Sequence, residues 1–182
     1  MNSTPQSGSS RATVSGSVVE ALFVKALKPT GAFEEELRGA GINIHRLETQ
    51  YPGETFNTGI EIARRHRFAK LPTPDGERRL GRLFVQGFLD TLIGKVVGVT
   101  LPMLGAGRLA DRIPRLLSSG GEMEARVEKL SDTSRRVTFR RMSSPANFMA
   151  GLLEEGLGRS GTPVQARVLE EQAASYVMQL SW

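Results

Sequence analysis

Met123-Glu124-Ala125-Arg126-Val127-Glu128, a turn at Ser131–Ser134, and then Arg136-Val137-Thr138-Phe139-Arg140 decide the fold class. Apolar and charged side chains alternate there with a period of two. Each segment therefore turns one face to a core and the other to water. Two such runs joined by a short polar turn predict a β-hairpin. Downstream, Ser144-Pro145 opens a helix with proline at its first helical position. Phe148, Leu152 and Gly156, flanked by Met149, Leu153 and Leu157, make its inner face, and Gly161 ends it. Val164, Ala166 and Val168 alternate again, as do Tyr176, Met178, Leu180 and Trp182. The C-terminal part reads as a β-β-α-β-β unit whose last strand ties the end of the chain into an antiparallel sheet.

Upstream of residue 123 the period is helical. Ser17-Val18-Val19-Glu20 has the form of a capping box and predicts a helix over Val18–Leu27, although its valines and Phe23 also suit a strand. Thr30 caps a second helix, Ala32–Ala40. Glu34–Glu36 lie in its first turn, where the helix dipole favours them, and Gly41 is its left-handed C-cap. A loop over Ile42–Pro52 leads into a helix ending near Phe68, and Leu71–Gly76 reads as a turn. The fold class is α+β: an N-terminal helical portion followed by the sheet unit. The domain is expected over residues 17–182, behind a polar, Ser-rich tail at 1–16.

Glu77–Val99 predicts one long, mostly buried helix. Leu80, Phe84, Phe88, Leu92 and Val96 recur every four residues, and Leu83, Leu89, Ile93 and Val97 widen the stripe. It is not expected to cross a membrane. Asp90 and Lys95 would each cost roughly 2.5–3.5 kcal/mol near a bilayer centre. Gly81, Gly87, Gly94 and Gly98 punctuate it. A mid-helix glycine costs about 1 kcal/mol relative to alanine, so these mark the close approach of another backbone. Either an internal crossing or a dimer seam satisfies that. The candidate pocket or helix interface is therefore Gly81, Phe84, Gly87, Phe88, Thr91, Gly94 and Gly98. Asp90, inside the stripe, is expected to be buried and paired. Leu104–Leu117 predicts a further helix with Arg108, Arg112 and Arg115 along one face.

Composition narrows the function classes. Cysteine is absent and histidine occurs only at His45 and His66, so no thiolate metal site exists and nitrogen ligands are scarce. His45 reads as a loop histidine, and His66 as part of a solvated helix end. No apolar leader opens the chain, and a cytoplasmic location is expected. The net charge is +5, from 24 Lys and Arg against 19 Asp and Glu. The basic residues are mostly arginine, which reflects either codon usage in a GC-rich genome or phosphate recognition. The candidate anion-binding residues are Arg64, Arg65, Arg108, Arg112 and Arg115. Arg135, Arg136, Arg140 and Arg141 on the hairpin are a second basic group. No phosphate loop, nucleophile elbow or paired-carboxylate arrangement occurs, so no enzyme activity is expected.

Val19-Glu20-Ala21-Leu22-Phe23-Val24, Tyr51-Pro52, Leu80-Gly81-Arg82-Leu83-Phe84-Val85-Gln86-Gly87-Phe88, Thr91-Leu92-Ile93-Gly94 and Phe148-Met149-Ala150-Gly151-Leu152-Leu153 resemble the consensus of a myxobacterial paralogous family of uncharacterised proteins. The order of helices and strands is similar to the superfamily of 4-vinyl reductase-type domains, haem nitric-oxide-binding domains and vesicle-tethering subunits. That resemblance implies a fold that takes small hydrophobic ligands, haem or acyl chains, and that often dimerises through helices. The cysteines of the 4-vinyl reductase-type domains are missing here.

Together these readings predict a non-enzymatic ligand-sensing or protein-interaction module, a homodimer or bound to a protein partner, with a small apolar ligand. No cofactor is expected, haem or an acyl ligand being what the resemblance alone would add. The rival reading is a regulatory protein that binds a cyclic dinucleotide or nucleic acid through its arginines.

Overall fold

A computed structural model of the chain describes residues 13–91, 94–96, 98, 103–118 and 123–182. Strand β1 (Thr13–Ser15) pairs antiparallel with β2 (Gln50–Pro52), Val14 opposite Tyr51. Helix α1 (Gly16–Val19) runs directly into a π-helix, Glu20–Leu27, closed by Lys28 N donating to the Phe23 carbonyl. Helices α2 (Ala32–Gly39), α3 (Gly53–Phe68) and α4 (Thr73–Leu89) complete the N-terminal half. Helices α5 (Gly105–Asp111) and α6 (Ile113–Ser118) lead into the sheet. Strands β3 (Glu124–Ser131) and β4 (Ser134–Arg140), helix α7 (Ala146–Gly158), and strands β5 (Gln165–Gln172) and β6 (Ser175–Ser181) follow. The sheet is antiparallel in the order β3-β4-β6-β5, so the α+β class and the β-β-α-β-β unit stand as read from the alternation.

Among the described residues two apolar cores form, one in each half. In the first, Leu22, Phe23, Leu37, Ile60 and Leu80 are fully buried, and Phe148 reaches into it from α7. Edge-to-face rings run through this core: Phe23 to Phe56 at 6.1 Å, Phe56 to Phe148 at 6.0 Å and Phe84 to Phe148 at 6.0 Å. Each such pair adds about 0.5–1.5 kcal/mol beyond burial. In the second core the inward row of the sheet, Val137, Phe139, Met178 and Leu180, packs on Ala110 of α5 and on Ala146 and Ala150 of α7. Leu152 on α7 packs against both cores.

The long helix expected over Glu77–Val99 is shorter and lies earlier. Its first turn is at Thr73, where Pro74 needs no hydrogen-bond partner for its nitrogen, and it ends at Leu89. Thr91 stops it. The Thr91 hydroxyl donates to the Phe88 carbonyl at 2.6 Å and accepts from Gly94 N at 3.0 Å, replacing the next helical bonds with its own side chain. The chain is helical again at 94–96 and at 98. Leu92, Ile93 and Val97 of the apolar stripe lie outside the described residues. Asp90, expected to be buried and paired, caps the helix end and is exposed.

Other boundaries also shift. Leu104–Leu117 is two helices broken at Arg112, because Pro114 has no N–H for the Ala110 carbonyl. Ser17 and Glu20 do not form a capping box: Ser15 precedes the helix, Ser17 Oγ lies 2.9 Å from Ser15 Oγ, and Glu20 pairs with Lys25 at 3.2 Å. Gly31, not Thr30, stands at the N-cap of α2. Gly41 does end α2 in the left-handed region, φ 91°, with Ile42 N donating to the Leu37 carbonyl at 2.9 Å. Of the tail at 1–16, residues 1–12 lie outside the described residues, and Thr13–Gly16 form β1 and the first residue of α1.

Candidate functional site: the α4–α7 crossing

Helices α4 and α7 carry the two cores past one another, and small residues set how near they come. A Cβ on Gly81 would overlap the Phe148 carbonyl oxygen and lie 2.7 Å from the Leu152 nitrogen. A Cβ on Gly151 would overlap the Arg78 carbonyl oxygen and lie 2.9 Å from the Arg78 Cα. Neither backbone can accept a side chain there. Six residues further along α4, Gly87 lies against the π-helix: its Cβ would overlap the Ala21 carbonyl oxygen and lie 2.9 Å from Ala26 Cβ. Gly81 and Gly87 are thus covered by this chain's own backbone, which makes them internal crossings rather than a dimer seam.

Beside the crossing lies a charged clamp that periodicity alone could not reveal. Glu154 on α7 accepts from Arg78 Nη1 at 2.6 Å, Arg82 Nη2 at 2.7 Å and the Ala166 backbone N at 3.1 Å. Arg78 Nη1 also donates to the Ala166 carbonyl at 3.0 Å. The Glu154 side chain is only 9% exposed, so its charge must be met by these donors. One carboxylate thereby ties α4 to α7 and to the start of β5. The sequence signal was an Arg-x-x-x-Arg pair one helical turn apart on the rim of the apolar stripe, without any indication of its partner.

The other residues of the predicted interface line the same helix and its end. Phe84 stacks on Phe88, centroids 6.3 Å apart, and meets Phe148 edge-on. The Phe88 carbonyl and Thr91 make the turn described above. Gly94 is buried, and a Cβ on it would overlap that same carbonyl. Gly98 is the loosest, its Cβ 3.1 Å from Leu89 Cδ2.

The predicted arginines do not converge. Arg64 and Arg65 are on α3, against the first core, whereas Arg108, Arg112 and Arg115 are on and between α5 and α6, against the second. Arg65 is committed to Glu36, as is His66, whose Nε2 lies 2.7 Å from Glu36 Oε2 and whose ring stacks on Phe33. These partners hold the Glu36 carboxyl below the usual carboxylate range, His66 more than Arg65. His45 sets Nε2 3.1 Å from Glu34 Oε1.

Arg135, grouped by sequence with the exposed hairpin arginines, is buried. Its side chain is on the inward row of β4 and is 6% exposed. Nε and Nη2 reach the Asp111 carboxylate at 2.7 and 3.3 Å, Nη1 reaches the Ser131 and Ser134 carbonyls, and the Trp182 ring lies 5.3 Å away. This arginine holds α5 and the last residue against the hairpin.

Among the described residues no helix is long and apolar enough to cross a membrane. The pattern of a family described as "Protein of unknown function (DUF2378)" matches residues 12–182. No curated protein matches the chain. In structure it is similar to an H-NOX protein from S. oneidensis in the Fe(II)NO ligation state, with a TM-score of 0.68 at 11% identity over 92% of this chain and 98% of that one. It is similar to an Fe(II) unliganded H-NOX protein mutant from K. algicida, with a TM-score of 0.60 at 12% identity over 92% and 95%. It is also similar to an oxygen-binding H-NOX domain related to soluble guanylate cyclases, with a TM-score of 0.58 at 11% identity over 91% of each. The fold is H-NOX-like. This overturns the expectation of no cofactor, since the solved structures that share this fold are H-NOX proteins whose descriptions name haem or its iron. Iron is named in two of those structures, and haem and porphyrin in a further one of the same fold.

Proposed function

The chain belongs to the DUF2378 family, and we propose that it is a ligand-sensing module that performs no reaction of its own. The observation that carries this reading is the division into two cores joined at one tight crossing. Gly81 and Gly151 leave no slack between α4 and α7, and Glu154 locks the approach electrostatically. A small apolar ligand seated between the cores shifts one relative to the other about that contact. Packed interfaces move between discrete arrangements, so a small displacement is amplified at the surface. A protein partner or a second copy of the chain reads the change.

Haem is the first ligand to test, because structures of this fold name it. Haem iron takes His, Cys, Met or Tyr as its protein ligand. This chain has no cysteine, and its two histidines point at Glu34 and Glu36 on the α2–α3 side. Tyr176 is buried, which pushes its phenol pKa up and disfavours a tyrosinate. The residues therefore do not fit a histidine-held haem.

The test is native mass spectrometry and an absorption spectrum of the purified full chain, followed by titration with haemin and with a long-chain fatty acid. The expected result is one equivalent of an apolar ligand, bound with a change in protease sensitivity around residues 89–91. A ligand-free protein that takes up neither probe overturns the reading.

A further inference from the structure

The four-stranded sheet turns one face to α5 and α7 and the other to solvent. On the open face the pairing registers set three rows across the strands, in the order β3-β4-β6-β5. Glu124, Arg140, Ser175 and Gln172 form the first row. Arg126, Thr138, Val177 and Glu170 form the second, and Glu128, Arg136, Gln179 and Arg167 the third. Every charged residue of these rows is exposed, and Thr138 and Val177 at the centre are half-buried. Leu169, the extra residue of the β5 bulge, stands next to Glu170 and is 39% exposed.

The chain neutralises only part of this face. Glu128 lies 3.5 Å from Arg136, and Glu124 lies 3.3 Å from Arg141. Among the described residues, the side chains of Arg126, Arg167 and Glu170 form no ion pair or hydrogen bond. All three are on the edge strands, Arg126 on β3 and the other two on β5.

Their placement is self-complementary. A second copy can be turned over about an axis parallel to the strands, midway between β4 and β6. This lays β3 over β5 of that copy and leaves each row on itself. Arg126 then faces Glu170 of the second copy, and Glu128 faces its Arg167. The two-fold repeats both pairs, so four contacts of opposite sign close the two margins. Thr138 meets Val177 at the centre, Arg140 meets Ser175, and Glu124 meets Gln172. Neighbouring placements fail. An axis over β4 sets Arg136 and Arg140 each against itself, and an axis over β6 sets Arg136 against Arg167. Like charges therefore exclude the alternatives. Aligned sheets stack about 10 Å apart, a gap that an arginine and a glutamate together reach across.

We propose that the chain forms a two-fold dimer by stacking the open faces of its sheets, Arg126 pairing with Glu170 and Glu128 with Arg167 of the second copy. Four strands of seven or eight residues give a footprint of roughly 20 by 23 Å. That is smaller than the roughly 800 Å² which each partner buries in a standard interface, so the dimer is weak and reversible. It does not depend on a ligand between the cores.

Sedimentation equilibrium of the full chain at low ionic strength, from about 1 μM to about 1 mM, tests it. The expected result is a reversible monomer–dimer equilibrium that weakens as salt is added. Arg126→Glu alone, or Glu170→Arg alone, turns two attractive pairs into repulsive ones and should weaken the dimer roughly tenfold or more. Combining Arg126→Glu with Glu170→Arg recreates both pairs with their signs exchanged, and should restore the affinity to within about threefold. Circular dichroism checks that each variant folds. A monomer throughout the range overturns the proposal. So does a dimer indifferent to either reversal, or a double variant no tighter than the single ones.

Discussion

Gly81 of α4 and Gly151 of α7 stand in reciprocal contact: each lies against the carbonyl of the residue three positions before the other, Phe148 for Gly81 and Arg78 for Gly151. Neither glycine is in the left-handed region. What they supply is absence of volume, which lets two helix backbones touch and lets Phe148 cross from α7 into the N-terminal core.

Gly81→Ala and Gly151→Ala are each expected to destabilise the fold by about 2–4 kcal/mol, since the added methyl meets backbone that cannot rotate away. Urea denaturation followed by circular dichroism measures this. Gly156→Ala is the control. Its Cβ would sit 3.9 Å from Val85 Cγ2, an ordinary contact, and it should gain up to about 1 kcal/mol of helix propensity. Equal effects at all three positions would show that the crossing is not tight.

Glu154→Ala strips the carboxylate from Arg78, Arg82 and the Ala166 amide together. We expect a loss of about 2–3 kcal/mol, because Arg78 is left partly buried without its anion. Arg82→Ala should cost under about 1 kcal/mol, as that side chain is 47% exposed and its pairing is screened. The same urea series, repeated at high salt, should shrink the loss for Arg82→Ala proportionally more than that for Glu154→Ala, since the exposed pair is screened and the buried carboxylate is not.

The Asp111 carboxyl is held below its ordinary range, first by its hydrogen bonds to Arg135. A depressed folded-state pKa means that the unfolded chain takes up a proton first as pH falls. The contribution is present above the ordinary carboxylate pKa and is lost as pH falls through the folded value. Asp111→Asn should therefore lower stability at neutral pH and flatten the acid limb of a melting-temperature profile. A profile parallel to that of the unsubstituted chain would sink this assignment.

Glu77 works in the opposite sense. Its folded-state pKa is raised by burial and by Glu171, so the folded state holds its proton longer. Stability falls as pH rises between the unfolded and the folded value, and the penalty is complete above the latter. Glu77→Gln should raise the melting temperature at neutral pH, with the gain fading as pH drops below the ordinary carboxylate range.

Much of the architecture was legible in the chain itself. The change of period near residue 123 determined the class, because strands and helices bury faces at different intervals. Val137 and Phe139, and Tyr176, Met178 and Leu180, are the inward residues that alternation predicts. The glycines of the apolar helix announced close approach, since nothing else compensates their helix cost. The tertiary structure alone decided what approached: α7 at Gly81, the π-helix at Gly87. It also decided which arginines carry structure. Arg135 and Arg136 are neighbours in sequence, yet one is buried against Asp111 and the other lies on the open face of the sheet. Arg78 and Arg82 found their anion 76 and 72 residues away. Thr91, read as part of a continuous helix, ended it, because a hydroxyl can take the backbone's hydrogen bonds wherever packing lets the chain turn. A sequence fixes local periods and volumes, whereas the partner of a charge or of a bare backbone depends on which distant segment packs beside it.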